Sequence, residues 1–194
     1  MTGHYHYAPV WDLTTRLWHW TLALSVITGW FLGEFRSFST IEWHFYCGYL
    51  TGALVLFRYA WGFLGPQPIR FGTLFASTRH VFSYLRTIGR REPSGLEGHN
   101  PLGSLSVFAL LLALTVQVTS GLFSEDDGLF SAGPLASEVA GSVVRQMTQI
   151  HHIGARVILV LVIMHLGAIA FYAIYKRENL VSAMINGRKL IRRQ

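Results

Sequence analysis

The stretch HHIGARVILVLVIMH, from His151 to His165, decides the fold. It is almost wholly apolar between its ends, and it sets two imidazoles 14 residues apart. On an α-helix that spacing leaves the rings only about 40° apart around the axis and roughly 21 Å apart along it. One helix face therefore carries two imidazoles at two depths. His152 competes with His151, but relative to His165 it turns about 140° away from that face. His151 is the better match, and His152 reads as an interfacial residue or one that supports a ligand from behind.

The rest of the chain has the composition of a membrane protein. Of its 194 residues 51% are apolar and 13% charged, which leaves too little polar surface for an ordinary soluble domain. Four stretches, near residues 17–33, 45–64, 102–123 and 147–175, approach the ~20 residues that cross a hydrocarbon core. Trp18, His19 and Trp20 interrupt the first and no small-residue cleavage site follows, so it is not read as a cleavable signal peptide. The expectation is an all-α fold: a single domain over residues 1–194, built as a four-helix transmembrane bundle.

Loop charge orients that bundle, because short cytoplasmic segments collect Lys and Arg. Arg70, Arg79, Arg86, Arg90 and Arg91 lie between the second and third stretches, and Lys176, Arg177, Arg188, Lys189, Arg192 and Arg193 follow the fourth. Both segments, and hence both termini, are expected in the cytoplasm. The other two connections hold Glu34, Glu42, Glu125, Asp126, Asp127 and Glu138 against Arg36 and Arg145, six acids to two bases, and face outward. The formal charge of +6 is thus a topology signal and not a sign of nucleic-acid binding, and the basic residues also suit anionic lipid headgroups. The single Cys47 allows no internal disulfide.

In that orientation His19, early in the outward-running first helix, shares the inner leaflet with His165, late in the inward-running fourth. His44 shares the outer leaflet with His151. A haem with two imidazole ligands needs one such pair at matching depth on facing helices, and the chain supplies two pairs. Iron ligated on both sides has no open position and suits electron transfer rather than oxygen binding. Single intramembrane histidines often only hydrogen-bond across helices. Four at paired depths, each expensive to bury, argue for function. Glycines at steps of four, Gly29 with Gly33 and Gly48 with Gly52, would let a porphyrin approach the backbone or simply let helices pack. Arg16 and Arg58 are candidates to meet the propionates of the inner haem, and Arg36 and Arg145 those of the outer one; snorkelling to lipid phosphates is the alternative. Arg156, a turn beyond His152, needs a partner for its charge, such as a propionate.

Between the second and third stretches, Phe71, Leu74, Phe75, Val81, Phe82, Leu85 and Ile88 recur at roughly helical intervals among Arg79, Arg86 and Arg90. This predicts an amphipathic helix on the inner surface. The acidic turn Glu125-Asp126-Asp127-Gly128 superficially suggests calcium, but too few ligands follow at loop spacing, so a solvated turn is expected.

These residues resemble the bacterial cytochrome b561 family, which includes the cytochrome b subunits of nickel-iron hydrogenases and formate dehydrogenases. The likeness spans Trp11 to Tyr175. It rests on Arg16-Leu17-Trp18-His19-Trp20, on His44-Phe45-Tyr46-Cys47-Gly48-Tyr49, and on Arg58-Tyr59-Ala60-Trp61-Gly62-Phe63-Leu64-Gly65 with Arg70-Phe71. To these it adds Gly98-His99-Asn100-Pro101-Leu102-Gly103 and the spacing of His151 and His165. The resemblance implies a four-helix bundle in the bacterial inner membrane with two b-type haems, His44 with His151 outside and His19 with His165 inside. It also implies a quinone, ubiquinone or menaquinone, near the inner haem beside an asparagine entering helix three, which makes Asn100 and His99 candidates. His-Asn-Pro reads equally as a turn before a helix that Pro101 starts.

The function so implied is electron transfer between the membrane quinone pool and a periplasmic carrier, a c-type cytochrome first of all. Acidic outer loops would attract a basic carrier. One member of the family instead oxidises superoxide and passes the electron to quinone. An anionic substrate needs an electropositive site, so the outer charge argues against that alternative, with Arg36 or Arg145 left to form a local positive patch. The larger relatives continue beyond four helices, whereas a short basic tail follows the fourth here, which speaks against a permanent hydrogenase or dehydrogenase partner.

Overall fold

The computed structural model describes residues 5–126, 128 and 131–192; Asp127 and Arg193 of the charge reading lie outside them. Strand β1 (Tyr5–Pro9) leads into α1 (Leu13–Glu34) and α2 (Ile41–Leu64), and two short helices, α3 (Phe71–Thr78) and α4 (Val81–Leu85), precede α5 (Pro101–Leu122). A ribbon of β2 (Glu125–Asp126) and β3 (Ser131–Ala132) and a single 3-10 turn, Ala136–Glu138, connect to α6 (Gly141–Ile174). α7 (Leu180–Asn186) and β4 (Arg188–Arg192) follow.

The chain is mostly helical, and its four long helices fall on the four apolar stretches. Only α5 and α6 among the described residues are both long and apolar enough to cross a membrane. α1 and α2, at 22 and 24 residues, are long enough but less apolar. Thr14, Thr15, Arg16, His19 and Glu34 in one, and Glu42, His44, Thr51 and Arg58 in the other, stand where aliphatic residues would raise the hydropathy. Leu24, Leu56, Leu112, Ile163 and Met164 all point outward, the reverse of a water-facing surface. Local signals set the helix ends. Asn100 Oδ1 accepts the Gly103 N–H at 2.8 Å and so caps α5, with Pro101 at its first position. Asn179 caps α7 by accepting the Ser182 N–H, and that helix stops at Gly187, in the left-handed region with φ 80°.

The all-α expectation needs correction at two places. β1 pairs antiparallel with β4, from Tyr5 opposite Arg192 to Pro9 opposite Arg188, and β2 pairs with β3. Tyr5 and Tyr7 on one strand and Ile191 on the other favour extended backbone. Each strand also gives the other partners for N–H and C=O groups that a lone edge leaves open. The amphipathic helix expected between the second and third stretches is two helices, broken where the His80 N–H turns back to Ser77 O at 3.1 Å. Its two-sided character persists, with Phe71 and Leu74 buried and Phe75 and Phe82 exposed.

The sequence reads as one domain, and the described residues group into two compact units whose dividing points fall inside α1, α2, α5 and α6. The first takes the chain up to Trp18, Tyr59–Phe108, and residues from Val162 onward; the second takes His19–Arg58 and Ala109–Leu161. Val10, Trp11, Ile69, Ala183 and Ile191 form a core in the first. Its tail carries charge inward, for Lys176 and Lys189 are each 4% exposed and Glu178 is 3% exposed. That corrects the reading of these two lysines as surface for lipid headgroups. Lys189 Nζ donates to Gly98 O at 2.8 Å and Leu96 O at 3.1 Å, and pairs with Glu178 Oε1 at 3.1 Å. Glu178 also accepts the Ser94 N–H at 2.7 Å and its hydroxyl at 2.9 Å. Lys176 donates to Arg90 O at 2.9 Å and the Tyr175 hydroxyl to Gly89 O at 2.8 Å. Buried charges persist only with such partners, so the tail clasps the loop that leads into α5. In the second unit, Ser25 Oγ ties α1 to α2 through Cys47 O at 3.0 Å and Thr51 Oγ1 at 2.9 Å.

Candidate functional site

In the second unit α2 and α6 each contribute one histidine to a common point. The imidazoles of His44 and His151 lie with ring centres 6.0 Å apart and planes at 86°. Each ring is braced by the long helix that precedes its own. His44 Nδ1 is 2.8 Å from Gly29 O on α1, and His151 Nδ1 is 3.0 Å from Gln117 O on α5. A carbonyl only accepts, so both Nδ1 atoms carry the proton and both Nε2 atoms keep a lone pair. That is the tautomer a metal ligand requires. The Gln117 side-chain Nε2, a donor, accordingly approaches His151 Nε2 at 3.3 Å.

The geometry suits a shared metal atom. Two imidazoles bonded to one metal at about 2 Å each have ring centres roughly 6 Å apart, and the observed separation is 6.0 Å. No group of three or more His, Cys, Asp or Glu gathers here or elsewhere among the described residues. A metal held by this pair must bring its remaining ligands with it, as haem iron does in its porphyrin.

The other predicted residues fall in several places. His152 is exposed on α6, its ring centre 6.5 Å from that of His151. Gly29 and Gly52 sit against Cys47 Cβ and Val118 Cγ1, where helices pack, and a side chain at Gly48 would meet nothing within 4 Å. Arg36 forms an ion pair with Asp126, so that cation already has a carboxylate. Arg145 and Arg156 are exposed, and Arg58 is buried. His19, half-buried with its ring 5.3 Å from that of Trp20, belongs to the second unit. His165, also half-buried, belongs to the first, as does Arg16, which donates to Ile185 O.

His99 and Asn100 also lie in the first unit. His99 rests against Trp11 with ring centres 4.7 Å apart. Asn100 is buried and commits Oδ1 to capping α5. Gly98 before them takes φ 78°, and a Cβ there would strike Pro68 at 2.6 Å. With Lys189 on the Gly98 carbonyl, this short loop is fixed from both sides. The sequence reading passes over Gln117 and Gly121. A lone amide in the last two turns of an apolar helix, with a glycine four residues on, is the signal that marks them.

The chain matches the prokaryotic cytochrome b561 family over residues 10–187, and it belongs to that family. A probable Ni/Fe-hydrogenase B-type cytochrome subunit of Rhizobium leguminosarum bv. viciae is 28% identical over 94% of this chain and 89% of the relative. Proteins of the same description from Azotobacter chroococcum mcd 1 and Azotobacter vinelandii are 28% and 27% identical, each over 94% of this chain and 88% of the relative. No solved structure matches. As a family member the chain is a b-type membrane cytochrome of electron transport.

Proposed function

We propose that this member of the cytochrome b561 family moves electrons across a bacterial inner membrane through two b-type haems, between the quinone pool and a redox partner at the outer face. The observation that carries the reading is the outer pair, His44 and His151, 6.0 Å apart with each Nδ1 tied back to a carbonyl. His19 and His165 are the proposed ligands of the second haem. The 14-residue spacing keeps His165 on the face of α6 that carries His151, roughly 21 Å along the axis. All four long helices then cross the membrane with both termini in the cytoplasm.

Bound haem supplies reversible one-electron exchange at iron. The chain's own residues decide what that exchange serves. His44 and His151 would hold the iron through their Nε2 atoms, and with both imidazoles so engaged neither oxygen nor a substrate would gain a coordination site. The Gln117 amide, which approaches His151 Nε2 at 3.3 Å, would give up that contact to a metal held there. The clasped loop before α5 presents Asn100 with Oδ1 committed to the cap and its amide N–H groups left to donate, which suits a quinone carbonyl with His99 alongside. The pairing of Arg36 with Asp126 weakens an electropositive site for superoxide and favours a protein carrier. The relatives' description suggests a nickel-iron hydrogenase as that partner, with a c-type cytochrome the other carrier. The short tail does not weigh against a hydrogenase, since the chain covers 89% of a relative so described.

Reduced-minus-oxidised spectra with haem quantification on the purified protein test the reading. Two haems per chain are expected. His44→Ala and His151→Ala should remove the same one, and His19→Ala and His165→Ala the other. A wild type without haem, or different haems lost from His44→Ala and His151→Ala, overturns it.

A further inference from the structure

We infer that Gly33 and Gly121 are paired positioning residues for the outer iron, each clearing the space through which one axial imidazole reaches the carbonyl that orients it. The inference rests on the haem reading above. In a helix each Cβ leans toward the N-terminus, so a side chain at position i+4 covers the turn that carries the carbonyl of residue i. A side chain from a neighbouring helix reaches that carbonyl most easily when position i+4 has no Cβ.

Both histidines meet this condition. His44 uses Gly29 O, and Gly33 stands four residues on; His151 uses Gln117 O, and Gly121 stands four residues on. A Cβ at Gly33 would lie 2.9 Å from His44 Cε1 and 3.1 Å from its Nδ1. A Cβ at Gly121 would lie 2.8 Å and 3.0 Å from the same atoms of His151. The nearest atoms in each case belong to the imidazole and not to backbone, so the ligand is what must give way. The device appears once in the α1–α2 pair and once in the α5–α6 pair, with the same atoms in the same order. Gly29 differs, because its Cβ would meet only Cys47 Cβ at 3.3 Å.

Alanine at either position therefore pushes one ring off its carbonyl, while the helix that carries the change gains a better helix former. A histidine that loses its Nδ1 hydrogen bond loses its fixed orientation and becomes a weaker base toward metal. Ferric iron depends more than ferrous iron on ligand basicity, so the potential of the outer haem should rise.

Gly33→Ala, Gly121→Ala and, as the comparison, Gly72→Ala, an exposed glycine of α3 where a Cβ would meet nothing within 4 Å, are made in the full chain, and haem retention and redox titration are followed for each haem. The expected result is a fall of about 10–100-fold in outer-haem affinity and an upward shift of its potential in the first two variants. The inner haem stays unchanged, and Gly72→Ala stays close to wild type. Wild-type affinity and potential in both Gly33→Ala and Gly121→Ala overturn the inference. So does equal loss of both haems, or the same selective loss in Gly72→Ala. Failure of the haem reading itself shows separately, in a wild type from which His44→Ala and His151→Ala remove no common haem.

Discussion

Replacing Lys189 with Met removes one charge from the first unit while keeping most of the side chain's volume. Lys189 is 4% exposed and serves Glu178, Leu96 O and Gly98 O. After Lys189→Met, Glu178 retains the two donors of Ser94, but its charge has no cation and two loop carbonyls lose their donor. Breaking a buried pair from one side costs about 3–5 kcal/mol. At 1.4 kcal/mol per tenfold, that is a shift of roughly 150- to 4,000-fold in the opening equilibrium of the loop. Hydrogen exchange reads it directly, because the Ser94 N–H is itself bonded to Glu178. Adding Glu178→Gln to Lys189→Met removes the stranded charge and should recover a large part of the loss. Exchange at Ser94 within about tenfold of wild type in the single variant, a cost of no more than about 1.4 kcal/mol, would refute the assignment of a clasp. So would a double variant no better than the single.

Other changes separate roles that now coincide. Asn100→Ala should cost about 0.5–2 kcal/mol through the lost cap, measured by denaturant titration. Asn100→Asp keeps Oδ1 and should restore that stability while leaving quinone reduction impaired; full quinone activity in Asn100→Asp would count against the amide as a donor. Gln117→Leu removes an amide whose Oε1 has no partner among the described residues and keeps the backbone carbonyl that His151 uses. Stability should be unchanged or higher by about 1–3 kcal/mol, with the outer haem retained; loss of that haem would show that the side chain, and not the carbonyl, orients His151. Tyr84, bonded to the Tyr172 hydroxyl at 2.6 Å, has its pKa raised by burial and secondarily by Glu178, with the hydrogen bond opposing. The unfolded tyrosine then ionises first, so its stabilising contribution is full below about pH 10 and lost as pH rises beyond it. Tyr84→Phe should flatten that alkaline decline in a pH series of unfolding midpoints.

Periodicity and apolar length made the four long helices legible, and the His151 to His165 spacing pointed to the face where His44 and His151 lie together. The tail was not legible, because Lys176 and Lys189 look like solvated charge until Glu178 and the carbonyls of the loop before α5 are known in space. The break at His80 escaped detection, since the apolar recurrence from Phe71 to Ile88 continues across it. Gln117 escaped for a different reason. Its contribution to His151 is a backbone carbonyl, which every residue owns, and only the glycine four positions on distinguishes it. Gly33 stands four residues from Gly29, yet spacing alone does not separate a helix contact from clearance for an imidazole.

The pairing of Tyr5–Pro9 with Arg188–Arg192 makes the earliest strand wait for the latest. While a ribosome adds the helices between them, β1 has no partner and presents an open hydrogen-bonding edge. The first unit therefore matures only once Arg188–Arg192 has left the ribosome, and a nascent chain stalled before Arg188 remains marked as incomplete by that edge. Surveillance by chaperones and proteases, which act on such exposed features, would meet the unfinished protein at β1 and not at its broken end.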